Sequence, residues 1–176
     1  MTGDRRQHLL EQLADHMLAH GLGGTSLRPV AAALGTSDRM LLYYFTTKAE
    51  LIAATLQTVA QRLELRLNAL AGAAPRPAGQ LARELPQLMM GEELWPYMRL
   101  WLEIAARAAA GDATCRAVGE AIAGGFLDWV GARIETTDDK RAQQAALLAQ
   151  LIDGALLFHA VGMSDLLAQA QGQPAR

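Results

Sequence analysis

The seven residues from Asp38 to Tyr44 place a guanidinium (Arg39), a thioether (Met40) and a phenol (Tyr43) close together. These are groups that can read the edges of DNA bases. An arginine presented to a major groove makes two parallel hydrogen bonds to guanine O6 and N7, a contact worth roughly 1–3 kcal/mol of discrimination. Met40 and Tyr43 would flank it. Around them Thr25, Ser26, Thr36, Ser37 and Tyr44 supply hydroxyl groups, and Arg28 and Lys48 supply cations. Such donors hold a protein on phosphates and position it without specifying sequence. Lys48 also opens a helix, where free backbone N–H groups favour phosphate. Two alternatives stay open: Arg39 and Lys48 as solvated surface charges with the tyrosines packing a core, and Asp38 as either an acceptor for a cytosine amino group or an acid balancing a helix dipole.

A second cluster lies between residues 89 and 129. Met89, Met90, Trp95, Met98, Trp101, Phe126 and Trp129 are large, adaptable side chains that could line an apolar site for a hydrophobic or aromatic small molecule. The same residues at helical spacing equally describe a core. Arg99, Glu103 and Arg107 recur every fourth residue and read as a solvated, salt-bridged helix face. Catalysis finds no footing. His16 and His20 are four apart, but no thiolate or carboxylate set completes a metal site, His8 and His159 stand alone, and there is no phosphate-binding glycine loop. The chain reads as a non-enzyme without metal or cofactor.

The positioning elements follow from periodicity. Leu9, Leu10, Leu13, Ala14, Met17 and Leu18 form one face of a helix from Asp4 to His20, ended by Gly21. Thr25 or Ser26 can cap a two-turn helix carrying Leu27, Val30, Ala31 and Leu34, ended by Gly35. Thr36 and Ser37 restart a short helix, Asp38 to Tyr44, on which Leu41 and Phe45 lie one turn apart and face inward, so residues 39 and 43 face outward. Thr47 with Glu50 is a capping box for a long helix from about Lys48 to Leu70. Beyond Gly72 the pattern predicts helices near 78–90, 94–110, 113–134 and 139–161, with Pro86 kinking the first and Pro96 in the first turn of the second. No strand is expected, and the tail after Gly172 should fray.

Composition narrows the class. The chain has 176 residues, of which 51% are hydrophobic and 5% aromatic, which favours close-packed helices over disorder. A net charge of -2 excludes coating of nucleic acid by bulk positive charge. Any DNA contact must be local. Residues 1–48 hold five Lys/Arg against four Asp/Glu. The single cysteine, Cys115, the N-terminus without a long apolar run, and apolar stretches interrupted before about 18 residues point to a cytoplasmic protein with no membrane span.

Two short helices joined by Leu34-Gly35-Thr36-Ser37, preceded by a longer amphipathic helix, describe helix-turn-helix geometry. The stretch GTSDRMLLYYFTTKAEL at 35–51 resembles the signature of the TetR family of bacterial repressors, supported upstream by Gly21, Thr25-Ser26 and Val30-Ala31. The resemblance covers about residues 5–51, and the remainder matches in layout only. It implies an all-α fold of about nine helices, with a DNA-binding domain at 1–47 and an effector-binding and dimerisation domain at 48–172. It also implies a repressor that binds a palindromic operator as a homodimer. Pairing would use the helices near 113–134 and 139–161, and Ala142, Ala145, Ala146, Ala149, Ile152 and Ala155 form a small-residue stripe that suits either that interface or the domain's own core. Where the family usually has a tyrosine, this chain has Leu42: either Tyr43 and Tyr44 take over its phosphate contact, or position 42 makes an apolar contact with a thymine methyl. The competing reading is a helical protein-interaction adaptor that does not bind DNA.

Overall fold

The computed structural model describes residues 2–23 and 27–166. Among them are eight helices: α1 (Thr2–His20), α2 (Leu27–Ala33), α3 (Asp38–Tyr44), α4 (Lys48–Ala71), α5 (Ala78–Met89), α6 (Trp95–Ala109), α7 (Ala113–Gly131) and α8 (Asp138–Ala160). The fold class is all-α. The described residues contain no strand, only one isolated parallel bridge between Arg76 and Ile134. Thr25, Ser26 and the tail beyond Gly172 lie outside the described residues.

Local chemistry sets the helix ends. Gly35 adopts φ +63°, which lets its N–H reach Ala32 O and that of Thr36 reach Ala31 O, closing α2 with both bonds of a Schellman motif. Ser37 then sits extended as the N-cap of α3, its Oγ accepting from Met40 N–H at 3.2 Å. At the start of α4, Glu50 N–H donates to Thr47 Oγ1 at 3.0 Å, but the returning Glu50 carboxylate accepts from Thr46 N–H rather than from Thr47. The reciprocal cap is thus shifted by one residue. Asp112 caps α7 through Cys115 N–H at 2.9 Å, and α5 stays helical through Pro86.

The chain forms two compact units, one of Met1–Leu65 with Arg99–Glu120 and the other of Arg66–Met98 with Ala121–Arg176, so their ranges divide α4, α6 and α7. The first unit is built on a core of Leu9, Leu10, Leu13, Val30, Ala31, Leu41, Phe45 and Leu51, flanked by Leu34, Tyr44 and Ala54. Leu51 and Ala54 belong to α4, so the head is closed by the first turns of that helix. Arg6 covers the Phe45 ring at 4.7 Å. Arg62 of α4 grips α1 through Asp15 at 2.7 Å, through the Glu11 carboxylate and through Glu11 O.

The Arg99, Glu103 and Arg107 series is not a merely solvated face. Glu103 Oε2 accepts from Leu22 N–H at 2.7 Å, just beyond the end of α1, while Oε1 takes Arg107 at 3.0 Å and Arg99 donates to Leu18 O at 3.3 Å. Leu18 O is one of the carbonyls left unpaired at a helix C-terminus, which a neighbouring side chain can satisfy, and Glu103 secures an N–H of the turn beyond it. The contact joins residues 81 apart in sequence, which periodicity does not register.

In the second unit α5 packs on α8, each offering an apolar stripe: Leu81, Leu85 and Met89 on one, Ala145, Leu148, Ile152, Ala155 and Leu156 on the other. The small-residue stripe of α8 therefore divides. Ala145, Ile152 and Ala155 are buried, whereas Ala142 is exposed. The large apolar side chains left in solvent are instead Leu147, Leu151, Leu157 and Phe158. Arg133 is buried among Asn68 Oδ1, Gly72 O and Trp129 O, with its guanidinium 4.0 Å from the Trp129 ring centroid. Arg76 reaches Ala71 O, and Arg141 reaches Gly131 O and Ile134 O. Cations at these helix C-termini satisfy free carbonyls and oppose the dipole.

Candidate nucleic-acid interface

α3 owes its orientation to two anchors. Leu41 and Phe45 are each 0% exposed in the core of the head, which turns the opposite side of the helix to solvent. At about 100° per residue, Arg39 and Tyr43 stand opposite Leu41, with Leu42 and Met40 on the two shoulders. Accessibility follows this order: Tyr43 is 71% exposed, Leu42 44% and Met40 43%, and Arg39 is also exposed.

The other candidate residues fall into distinct environments. Arg28 and Lys48 are exposed, and Thr36 is partly buried. Ser37 is exposed, with its oxygen engaged in capping α3. Tyr44 is partly buried against the head core and meets Tyr43 edge-on at 5.2 Å between ring centroids. Asp38 Oδ1 accepts from Arg39 N–H at 3.0 Å, a local bond to a helix-start N–H that matches the dipole-balancing role. Sequence reasoning placed Arg39, Met40 and Tyr43 outward and left position 42 open. The structure adds Leu42 to the exposed set.

The aromatic and methionine residues of the proposed effector site do not share one environment. Met89, Met98 and Trp129 are buried, and Met90, Trp95 and Phe126 are partly exposed, all in the second unit. Trp129 donates to Asn68 Oδ1 at 2.8 Å and stacks with Phe126 at 5.9 Å. Trp95 meets His159 edge-on at 4.4 Å. Trp101 belongs to the first unit. His16 and His20 stack on α1 at 4.5 Å, and no group of three or more metal-ligating side chains exists among the described residues. Burial and the neighbouring Asp112 carboxylate raise the Cys115 thiol above its ordinary value, so it carries little thiolate. Among the described residues no helix is long and apolar enough to cross a membrane.

Residues 9–55 match the tetR family of bacterial regulatory proteins. The matched segment runs from the first core leucine of α1 to the turn of α4 that closes the head. No curated protein matches the chain. Solved structures share its fold, among them the following two. A transcriptional regulator from Rhodococcus sp. Rha1 superposes with a TM-score of 0.69 at 24% identity, covering 94% of this chain and 90% of the other. The multidrug binding protein EbrR, complexed with imidazole, superposes at 0.64, also at 24% identity, over 94% of this chain and 89% of the other. Residues 9–55 thus match a tetR-type helix-turn-helix head, and the chain as a whole shares the fold of these two proteins.

Proposed function

We propose that the chain is a sequence-specific DNA-binding regulator, a repressor that occupies a palindromic operator as a homodimer and leaves it when a small hydrophobic or aromatic effector binds. The observation that carries this reading is α3, held by Leu41 and Phe45 so that Arg39 and Tyr43 project from a segment matching the tetR family. Arg39 reads guanine, and Arg28, Lys48 and the hydroxyls of Thr36, Ser37 and Tyr44 hold phosphates. Thr25 and Ser26 are expected to add hydroxyls beside them.

One such head spans few base pairs, so useful affinity needs two, with recognition helices about 34 Å apart or a multiple of it. The exposed Leu147, Leu151, Leu157 and Phe158 of α8, with Leu127 of α7, supply an apolar face for a second copy. For the effector, the candidates in the second unit are Met90, Trp95 and Phe126, which are partly exposed, and Met89, Met98 and Trp129, which are buried; Trp101 of α6 is the candidate in the first unit. That a protein of the same fold is a multidrug binding protein, complexed with imidazole, supports a small-molecule ligand. α4 begins at Lys48 and continues into the second unit, which makes it the lever between effector and head.

Selection from random DNA by the purified chain tests the reading. An enriched palindrome is expected, bound with a log-log salt slope of roughly -0.9 per neutralised phosphate. Arg39→Ala should lower specific affinity by roughly 10–100-fold and nonspecific affinity far less. The double change Leu151→Glu with Phe158→Glu should produce a folded monomer in sedimentation, with operator binding lost. No enriched palindrome, with partner binding indifferent to salt, would leave the protein-interaction adaptor instead.

A further inference from the structure

The outward face of α3 is unusually poor in hydrogen-bonding groups for a surface that enters a groove. Of its four exposed side chains, only the Arg39 guanidinium and the Tyr43 hydroxyl can donate, and Met40 and Leu42 have no strong donor or acceptor. Asp38 lies about 100° round the helix from Arg39, toward the Leu41 side, with one carboxylate oxygen bound to Arg39 N–H. Neither Met40 nor Leu42 is needed by the core, which is complete with Leu41 and Phe45 at 0% exposure. Two sizeable apolar side chains thus stand on either shoulder of the arginine.

A major groove offers one apolar group, the C5 methyl of thymine, and otherwise presents hydrogen-bond donors and acceptors. An apolar side chain set against a cytosine or guanine edge would strip water from polar groups and return no hydrogen bond. Against a thymine methyl the same side chain excludes water from two apolar surfaces. We infer that Met40 and Leu42 are specificity-determining residues that recognise thymine methyl groups, so that each half-site carries a guanine read by Arg39 between T·A pairs. The inference rests on the DNA-reading role proposed above. It also gives position 42 a function that a phosphate-binding tyrosine there would not have: discrimination among bases.

The test replaces thymines of the selected operator by uracil one at a time, which removes the methyl and leaves every hydrogen-bonding group in place. At thymines facing Met40 or Leu42, affinity of the full-length protein should fall about fourfold per methyl, the value of one buried methylene-sized group. Leu42→Ser should abolish the uracil effect at one set of thymines and Met40→Ser at the other. Both positions are exposed, so the variants should keep the parent's helix content and Tm. A palindrome whose half-sites lack T·A pairs beside the guanine, or an operator indifferent to uracil, overturns the inference and leaves the DNA-reading role standing. Failure to enrich any palindrome overturns both.

Discussion

Two arginines hold α4, one near its middle and one at its far end, and they work in opposite ways. Near its middle Arg62 reaches out to α1 and takes two carboxylates, Glu11 and Asp15, in a partly exposed setting. At its far end the helix receives Arg133, which is buried and donates to Gly72 O, Asn68 Oδ1 and Trp129 O, with Trp129 beneath its plane. The first arrangement is a set of ion pairs whose charges water screens and whose Glu11 carboxyl is held below its ordinary value by Arg62. The second satisfies main-chain carbonyls that would otherwise be left unpaired where a helix stops. The lesson is that one side-chain type ties the head acid-sensitively and staples the second unit through groups that do not titrate.

Removing the buried arginine should show the largest effect. Arg133→Ala removes a donor from Gly72 O and Trp129 O, leaves Asn68 Oδ1 with the Trp129 indole N–H, and bares the Trp129 ring, a loss of about 2–4 kcal/mol, or roughly 5–15 °C in Tm for a chain of this size. A drop of a degree or less in a thermal melt would mean that the staple is ornamental and the comparison fails. Next comes the other grip on α1. Gly21 has φ +71°, and a Cβ there would lie 2.5 Å from Glu103 Oε2, whereas Gly35 has φ +63° and nothing within 4 Å of such a Cβ. Both Gly→Ala changes incur the left-handed penalty of about 1–2 kcal/mol. Only Gly21→Ala should also break the Glu103 bond to Leu22 N–H. Equal denaturation midpoints for the two variants would show that Glu103 does not hold α1.

The smallest effect belongs to Arg62→Ala, about 1 kcal/mol at neutral pH and roughly 2–4 °C in Tm. Its pH dependence sharpens the contrast. The hydrogen bond from Arg62 holds the Glu11 carboxyl below its ordinary value of 4.5, against a smaller upward push from burial. A carboxyl whose folded value is depressed contributes fully above its unfolded value, and that contribution is lost as pH falls through the folded one. Melts of the parent and Arg62→Ala should therefore differ at pH 7 and converge below the lowered Glu11 value. A gap that persists in acid would mean that Arg62 acts through its bond to Glu11 O instead.

Local signals made the head legible. The bounds of α3 followed from Thr36 and Ser37 as its restart and from Leu41 and Phe45 one turn apart; the structure makes Ser37 the N-cap and buries both anchors. Contacts distant in sequence left no comparable trace. Nothing in the spacing of Arg99, Glu103 and Arg107 announces that Glu103 caps Leu22, and Asn68, Gly72, Trp129 and Arg133 share no periodicity that would bring them together. The α8 stripe failed to predict its exposed face for another reason. That helix carries apolar residues on several sides, so spacing alone could not tell Ala145 and Ile152, which face α5's unit core, from Leu147 and Leu151, which do not.

The sequence by itself determined the helical class, the helix-turn-helix and the identity of the outward residues Arg39, Met40 and Tyr43, because caps, glycine turns and the 3.6-residue repeat act over a few residues. Tertiary structure alone decided that Leu42 shares their exposed face at 44%, that the head is closed by Leu51 of α4, and which face of α8 remains apolar and bare. Those outcomes depend on which surfaces meet across tens of residues, and burial is a property of the packed chain rather than of any stretch of it.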